Sequence, residues 1–239
     1  MGIISRFPAG ATEPYIEETY DSYENLIDVK LHGYTKIRGY AFYSCYELAL
    51  TSLPAEITSI GRSAFYNCSS MALTSLPSGI TSIKEETFYN CSSMALTSLP
   101  SGITSIENLA FYYCSSLALT SLPSGITSIG FSAFQGCTNL ALTSLPNGIT
   151  MIEWATFQDC SSLALTSLPS GITSIMGQAF DGCTSLTSVT FEGTPESIAD
   201  SAFANCNNLT TINVPWAEGA VANAPWGATN ATINYGYTG

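Results

Sequence analysis

One interval constrains this chain more than any other feature: a cysteine recurs every 23 residues. A phenylalanine stands three residues before each cysteine. A fixed period between roughly 20 and 50 residues is typical of repeat proteins, in which each repeat buries its apolar face against its neighbours. We therefore predict a repeat solenoid, although a length of 239 residues alone would also allow one or two globular domains.

The repeat unit indicates short extended segments that are joined by corners. In the copy that begins at Leu117, apolar residues lie 2, 5, 9, 12, 17 and 20 positions further on, which suits neither a long helix nor a long strand. Leu-Thr-Ser-Leu and Ile-Thr-Ser-Ile are each predicted to form a short strand, because apolar and β-branched residues alternate there. Proline ends the first strand in six coils, and the Ala-Phe-x-x-Cys corner is predicted to form a helical or 3₁₀ turn.

The phenylalanines and cysteines are predicted to form a buried structural ladder. Cysteines in the same place on successive coils point the same way, which does not suit the dihedral angle of a disulfide. A zinc site is not expected either, because the chain has no Cys-x-x-Cys and only one histidine, His32. The cysteines are predicted to be reduced, with no metal and no cofactor. The ladder consists of Phe65, Phe88, Phe111, Phe134, Phe157 and Phe180 with Cys68, Cys91, Cys114, Cys137, Cys160 and Cys183.

The ends of the chain depart from the repeat. We predict an N-terminal tail over residues 1–18, an atypical N-terminal capping repeat over 19–42, the solenoid over 43–214 and a C-terminal cap over 215–239. In the capping repeat, Tyr20 takes the phenylalanine place and Tyr23 the cysteine place. The period is expected to stop after Pro215, with Trp216 and Trp226 covering the open end of the core. A last strand is predicted over 231–235.

Charge excludes one class of partner. The formal net charge is −12, and all six basic residues lie within the first 84 positions. Such a surface repels phosphate backbones, so we expect no nucleic-acid binding. No apolar run is long enough to span a membrane, so no membrane insertion is expected. The N-terminal sequence lacks the basic start and apolar stretch of a signal peptide, which leaves absence of export and removal of a signal as alternatives.

Variation between the copies points to candidate binding residues. Tyr43, Tyr66, Tyr89 and Tyr112 follow successive phenylalanines and are predicted to form an exposed column. A second column, three residues before the phenylalanines, contains Phe131 and Trp154, with Met176 nearby. The alternative interpretation is that the tyrosines only cover the corner of the stack. Because no nucleophile–base pair is visible, we predict a binding protein and not an enzyme, an intracellular enzyme being the remote alternative.

The residues Ile126-Thr-Ser-Ile-Gly-x-x-Ala-Phe-x-x-Cys-Thr-Asn-Leu140, together with Leu209-Thr-Thr-Ile-Asn-Val-Pro215, resemble the BspA-type leucine-rich repeat of bacterial proteins. The likeness covers about residues 20–215, although six coils depart from it by carrying Leu-Ala-Leu-Thr-Ser-Leu-Pro. It implies a right-handed solenoid, mostly β and coil, with short parallel strands.

The same resemblance implies a function class. Proteins of this type are often found at the bacterial cell surface, where they bind macromolecules, so the expected partner is a protein or a glycan. The family supplies no catalytic residues. The segment after Val214 is also similar to tails of phage- or prophage-encoded repeat proteins, which makes a structural role in a phage-like particle or extracellular assembly the alternative. Localisation is expected to be extracellular or at the cell surface, or alternatively cytoplasmic or virion-associated.

Overall fold

The computed structural model describes residues 2–5 and 14–239, and the chain forms a β-solenoid of about nine turns. The described residues contain strands and turns and no helix. The strands are β1 (Gly2–Ser5), β2 (Tyr15–Tyr20), β3 (Leu26–His32), β4 (Lys36–Ile37), β5 (Ser59–Ile60), β6 (Ser82–Ile83), β7 (Ser105–Ile106), β8 (Ser128–Ile129), β9 (Met151–Ile152), β10 (Ser167–Leu168), β11 (Ser174–Ile175), β12 (Ser188–Phe191), β13 (Ser197–Ile198), β14 (Thr211–Val214) and β15 (Thr232–Tyr235).

An antiparallel sheet precedes the coils. Its order is β1-β2-β3, so β1 and the first part of β2 lie within residues 1–18. The turn between β2 and β3 is held by the Asp21 carboxylate, which accepts hydrogen bonds from the backbone N–H groups of Tyr23 at 2.8 Å and Asn25 at 2.9 Å. Tyr23 is 85% exposed in this turn, so its alignment with the buried cysteine place is wrong. A side-chain-capped turn favours a hairpin over a parallel coil at this point.

The Ile-Thr-Ser-Ile segments form the predicted parallel strands. Each strand contributes two residues, and Ile83 on β6 lies directly opposite Ile106 on β7. The isoleucine points into the core while the preceding serine or methionine is exposed or half-buried. Three short parallel sheets arise in this way, with the orders β4-β5, β6-β7-β8 and β13-β11-β9.

The prediction of a strand at Leu-Thr-Ser-Leu is wrong for the first five of the six coils that carry it. Adjacent coils share a hydrogen bond from Ala95 N–H to the Leu73 carbonyl at 3.1 Å, but no regular ladder follows. The proline that comes next lacks an N–H group, which limits further pairing. The sixth copy does form β10, because it pairs with β12, a four-residue strand with alternating apolar residues and no proline.

The corner consists of reverse turns. Cys137 N–H bonds to the Phe134 carbonyl within the coil at 3.0 Å, whereas Phe134 N–H bonds to the Thr156 carbonyl of the next coil at 2.9 Å. Ser132 and Gly136 adopt left-handed backbone conformations, with φ of 49° and 73°. The predicted single helical turn is therefore realised as turns that bond alternately within a coil and to the following coil.

The core is one continuous cluster that runs along the solenoid. The phenylalanine rings of the ladder stack on one another, as in the pair Phe134–Phe157, whose centroids are 5.6 Å apart with an interplanar angle of 4°. Every ladder phenylalanine and cysteine named above is buried, and none of the chain's eight cysteines forms a disulfide; Cys45, in the first regular corner, is half-buried. Each large side chain buried in this way contributes roughly 1.5–3 kcal/mol.

The C-terminal segment continues the stack. Trp226 stands 23 residues after Phe203, and Phe203 N–H bonds to its carbonyl at 2.9 Å, as each phenylalanine does with the next coil. Trp226 is fully buried, and Trp216 packs edge-to-face on it with centroids 6.3 Å apart. The expectation that the period stops after Pro215 is therefore wrong for the contacts, although the residue types change. The predicted last strand is present as β15, parallel to β14.

Candidate functional site

Four of the predicted site residues come together in one stacked column. The rings of Tyr43 and Tyr66 are 4.6 Å apart, those of Tyr66 and Tyr89 4.3 Å, and those of Tyr89 and Tyr112 4.6 Å. The interplanar angles lie between 8° and 16°, so the rings are nearly parallel. Tyr43 is 47% exposed and the other three are half-buried. We call these four residues the tyrosine column.

Two further tyrosines cover the ends of the tyrosine column. Tyr40 packs against Tyr43 at 5.8 Å, and Tyr113 packs against Tyr112 at 4.6 Å with an interplanar angle of 63°. The ring faces inside the column are therefore in contact with other rings, and ring edges and hydroxyl groups remain for solvent or a partner. Burial raises the pKa of Tyr89, and the neighbouring hydroxyl groups of Tyr66 and Tyr112 raise it further. Neutral phenols are thus retained along the column.

The corner geometry sets the direction of these side chains. Each tyrosine lies between a buried phenylalanine and a residue with positive φ, as Tyr66 lies between Phe65 and Asn67, whose φ is 59°. The position directly before the cysteine is left-handed in every corner from the first to the eighth. It is occupied by Ser44, Asn67, Asn90, Tyr113, Gly136, Asp159, Gly182 and Asn205. Recurrent Asn, Gly and Asp at one position is a signal for this conformation that the sequence analysis did not use.

Tyr113 is the exception at that position, since bulky residues rarely adopt positive φ. Its φ is 54°, its side chain is 44% exposed, and its ring lies over Gly136 in the next coil. A Cβ at Gly136 would come within 2.9 Å of that ring. Backbone strain of this kind is concentrated at functional sites in proteins, which adds Tyr113 to the candidate surface.

Beyond Tyr112 the same column becomes polar. Gln158 donates a hydrogen bond to Asp181 at 3.1 Å, and Asn205 donates another to the same carboxylate at 2.8 Å. Burial raises the pKa of the nearby Asp159, and the negative charge of Asp181 adds to this effect. The aromatic part of the column is therefore confined to the N-terminal half of the solenoid.

The second predicted column also lies on the surface. Phe131 is 41% exposed and Trp154 is 51% exposed, and Ser132 N–H links the two coils by bonding to the Trp154 carbonyl at 2.8 Å. The indole lies over Gly177, where an added Cβ would meet ring atoms at 2.8 Å. Met176, which the sequence analysis placed nearby, is half-buried.

The titratable groups of the described part of the chain do not assemble a reactive centre. Residues 2–5 and 14–239 contain no group of three or more His, Cys, Asp or Glu side chains that could hold a metal ion. Burial is the main reason why the thiol pKa values are raised, to about 12 for Cys68 and Cys206. In that same part of the chain, no helix of sufficient length and hydrophobicity to cross a bilayer occurs. The arrangement offers a surface for binding.

Comparison with known proteins agrees with the fold. The model of the BspA-type leucine-rich repeat region matches six copies over residues 35–164 and 104–220. The crystal structure of the Treponema pallidum leucine-rich repeat protein TpLRR is similar, with 25% identity, a TM-score of 0.55 and coverage of 75% of this chain and 90% of that one. A leucine-rich repeat protein from Bacteroides ovatus is 19% identical with a TM-score of 0.53, covering 98% of this chain and 75% of its own.

The pneumococcal vaccine antigen PcpA shares the fold as well, with 18% identity, a TM-score of 0.52 and coverage of 91% of this chain and 61% of that one. No curated protein sequence matches the chain. The family match and these structures concern bacterial repeat proteins, and the likeness of the C-terminal segment to phage-encoded tails stays a prediction.

Proposed function

Since the chain belongs to the BspA-type leucine-rich repeat family, we propose that it is a non-catalytic scaffold that binds a protein partner through the tyrosine column. We place it at a bacterial cell surface, because surface-associated binding proteins are common in the family. The observation that carries the proposal is the stack of Tyr43, Tyr66, Tyr89 and Tyr112, exposed along one edge and covered at both ends by Tyr40 and Tyr113.

The stacking favours a protein partner over a glycan. A sugar ring binds an aromatic side chain by lying on its face, and the faces inside the tyrosine column are in contact with each other. Ring edges and phenol groups suit the mixed apolar and hydrogen-bonding surface of a protein, and tyrosine loses little conformational entropy on binding. The rings are already held in place by their neighbours, which lowers that cost further.

The direct test is binding of the purified chain to an array of bacterial and host proteins and glycans. We expect a protein ligand, and changing Tyr66, Tyr89 and Tyr112 together to Ser should abolish its capture. The same positions changed to Phe keep the rings and remove the hydroxyl groups, which separates loss of stacking from loss of hydrogen bonds. Gln135→Ser, one coil beyond Tyr112, is the matched control.

Unchanged capture by the folded Ser variant would remove the tyrosine column as the site and leave it as a cover for the corner. Capture of glycans alone would replace the protein partner by a saccharide. Thermal unfolding of each variant shows whether a loss of capture reflects a loss of folding. Protease treatment of intact cells tests the location, since a surface protein is degraded without lysis.

A structural role in a phage-like particle is the second candidate, and the C-terminal segment with Trp216 and Trp226 motivates it. Both tryptophans are buried in the end of the core, so they offer no exposed aromatic patch for attachment. Genes for tail or capsid proteins beside this gene would favour the assembly role. Genes for surface proteins or secretion would favour the scaffold.

A further inference from the structure

A second surface, separate from the tyrosine column, carries its own inference. Two neighbouring columns cross the solenoid just before the Ala-Phe corner, seven and six residues ahead of each cysteine. The first reads Arg38, Gly61, Lys84, Glu107, Gly130, Glu153, Met176 and Ala199, and the second reads Gly39, Arg62, Glu85, Asn108, Phe131, Trp154, Gly177 and Asp200. In the N-terminal coils these columns contain charges of both signs, and in the C-terminal coils they contain no cation.

The N-terminal coils show how a cation is held at this surface. Lys84 Nζ lies 2.8 Å from a carboxylate oxygen of Glu107, the residue one coil further on in the same column. The other oxygen of Glu107 accepts the backbone N–H of Glu85 at 3.1 Å. Arg62 is likewise 3.3 Å from Glu85 in the following coil. A carboxylate in this position therefore reaches back toward the preceding coil and binds the cation located there.

Two coils later the carboxylate recurs without its cation. Glu153 stands where Glu107 stands, but the residue one coil earlier is Gly130 in place of lysine. The backbone geometry is preserved, since the Thr156 hydroxyl donates to the carbonyls of Gly130 at 3.3 Å and Glu153 at 2.9 Å. Thr87 does the same one coil before the Lys84–Glu107 pair, to Gly61 and Lys84.

The Glu153 carboxylate makes no hydrogen bond or ion pair with any residue of the described ranges 2–5 and 14–239, and the residue is half-buried. The nearby Phe131 N–H already donates to the Asn108 side chain at 3.1 Å, so it does not compete for this carboxylate.

Exposed rings flank Glu153. Trp154 follows it in the chain and Phe131 lies one coil earlier, and both are more than two-fifths exposed. Met151, on β9, adds a third large apolar side chain that is 40% exposed. Other coils carry serine at the Met151 position and polar residues or glycine at the Phe131 and Trp154 positions, so this coil pair differs from its copies at the surface and not in the core.

We propose that Phe131, Glu153 and Trp154 form a docking site for an arginine or lysine side chain of a protein partner. The partner's cation would pair with the Glu153 carboxylate, as Lys84 pairs with Glu107, while the aromatic faces contribute cation–π attraction. Charge complementarity supports a basic partner, because residues 85–239 carry ten acidic residues and no lysine or arginine. The guanidinium of arginine suits the site best, because it stacks on rings while it pairs with a carboxylate.

The probe is a short peptide of alternating glycine and arginine, compared with the same peptide in which citrulline replaces arginine. Citrulline keeps the size and shape of arginine and removes its charge. Binding is followed by the emission of Trp154, since Trp216 and Trp226 are buried. We expect the arginine peptide to bind at least about tenfold more tightly than the citrulline peptide, and added salt to weaken it.

Site variants separate this docking site from general attraction to an acidic protein. Glu153→Gln and Trp154→Ser should each weaken binding about fivefold; for Trp154→Ser the readout is the anisotropy of a labelled peptide. Glu192→Gln is the matched control, because it removes the same unit charge from an exposed residue elsewhere and should change binding less than about twofold.

Equal losses for Glu153→Gln and Glu192→Gln would overturn the proposal, because binding would then reflect net charge alone. Equal affinity for the arginine and citrulline peptides would overturn it as well. The tyrosine column is intact in all of these variants, so neither outcome bears on the function proposed above.

Discussion

The Cys137 thiol donates a hydrogen bond to the backbone carbonyl of Phe111, 26 residues earlier, with a sulfur–oxygen distance of 3.0 Å. The same relationship joins each of the other buried cysteines to the phenylalanine of the preceding coil, at 3.0 to 3.1 Å. The residues are Cys68, Cys91, Cys114, Cys160, Cys183 and Cys206. A cysteine here fills apolar space and also satisfies a buried carbonyl, which neither alanine nor valine could do.

Thiol labelling distinguishes the half-buried cysteine from the buried ones. Cys45 should react with a thiol reagent in the native protein, whereas the other seven should react only after unfolding in urea. Burial raises their pKa values and keeps the reactive thiolate scarce. Mass spectrometry of the labelled peptides identifies the sites. Rapid labelling of any buried cysteine would contradict this packing and would revive the enzyme alternative.

Stability should fall as the solution becomes alkaline. The thiol pKa values are raised on folding, to about 12 for Cys68, whereas an unfolded thiol titrates near about 8.5. Above that lower value the unfolded chain loses protons that the native chain retains, so the free energy of unfolding decreases with pH. The thiol contribution is complete below about pH 8.5 and is lost progressively toward the native values. Urea unfolding midpoints that stay constant from neutral pH to about pH 10 would contradict this expectation.

Two glycines make a matched pair for testing how closely the coils approach. A Cβ at Gly61 would lie 2.8 Å from backbone atoms of Arg38 and Gly39, which cannot move aside without shifting the coil. Gly61→Ala should therefore cost about 1–3 kcal/mol.

A Cβ at Gly177 would meet only the ring of Trp154, which is half exposed and can swing outward. Gly177→Ala should cost less than about 1 kcal/mol while it changes the emission of Trp154. Urea unfolding and fluorescence measure both effects. A larger loss of stability for Gly177→Ala would mean that the ring, and not the backbone, limits the approach of the coils.

The spacing of Phe134 and Cys137 predicted most of the interior, because a repeat can stack only if the same positions face inward in every copy. It also predicted that Tyr43 and Trp154 lie at the surface, since residues that vary between copies are free of the core. The family resemblance is confirmed by the match over residues 35–220.

The failures have local causes. Tyr23 resembled a cysteine place by alignment, but the Asp21 side chain stabilises a hairpin turn there. Trp226 was assigned to an aperiodic cap because its identity differs from phenylalanine, although it keeps the 23-residue interval in its contacts. Glu153 drew no attention in the sequence, because its significance depends on Gly130 in the preceding coil. Such pairings across coils become visible only once the register between them is known.

Phe131 and Phe134 give the most direct test of the central claim that this coil has a structural interior and a functional exterior. They lie three residues apart in one coil; Phe134 is fully buried and Phe131 is 41% exposed. The measurement is the free energy of urea unfolding for the two phenylalanine-to-alanine variants. We predict a loss of about 3–5 kcal/mol for Phe134→Ala and a change within about 0.5 kcal/mol for Phe131→Ala. Equal losses, or a larger loss for Phe131→Ala, would contradict the account.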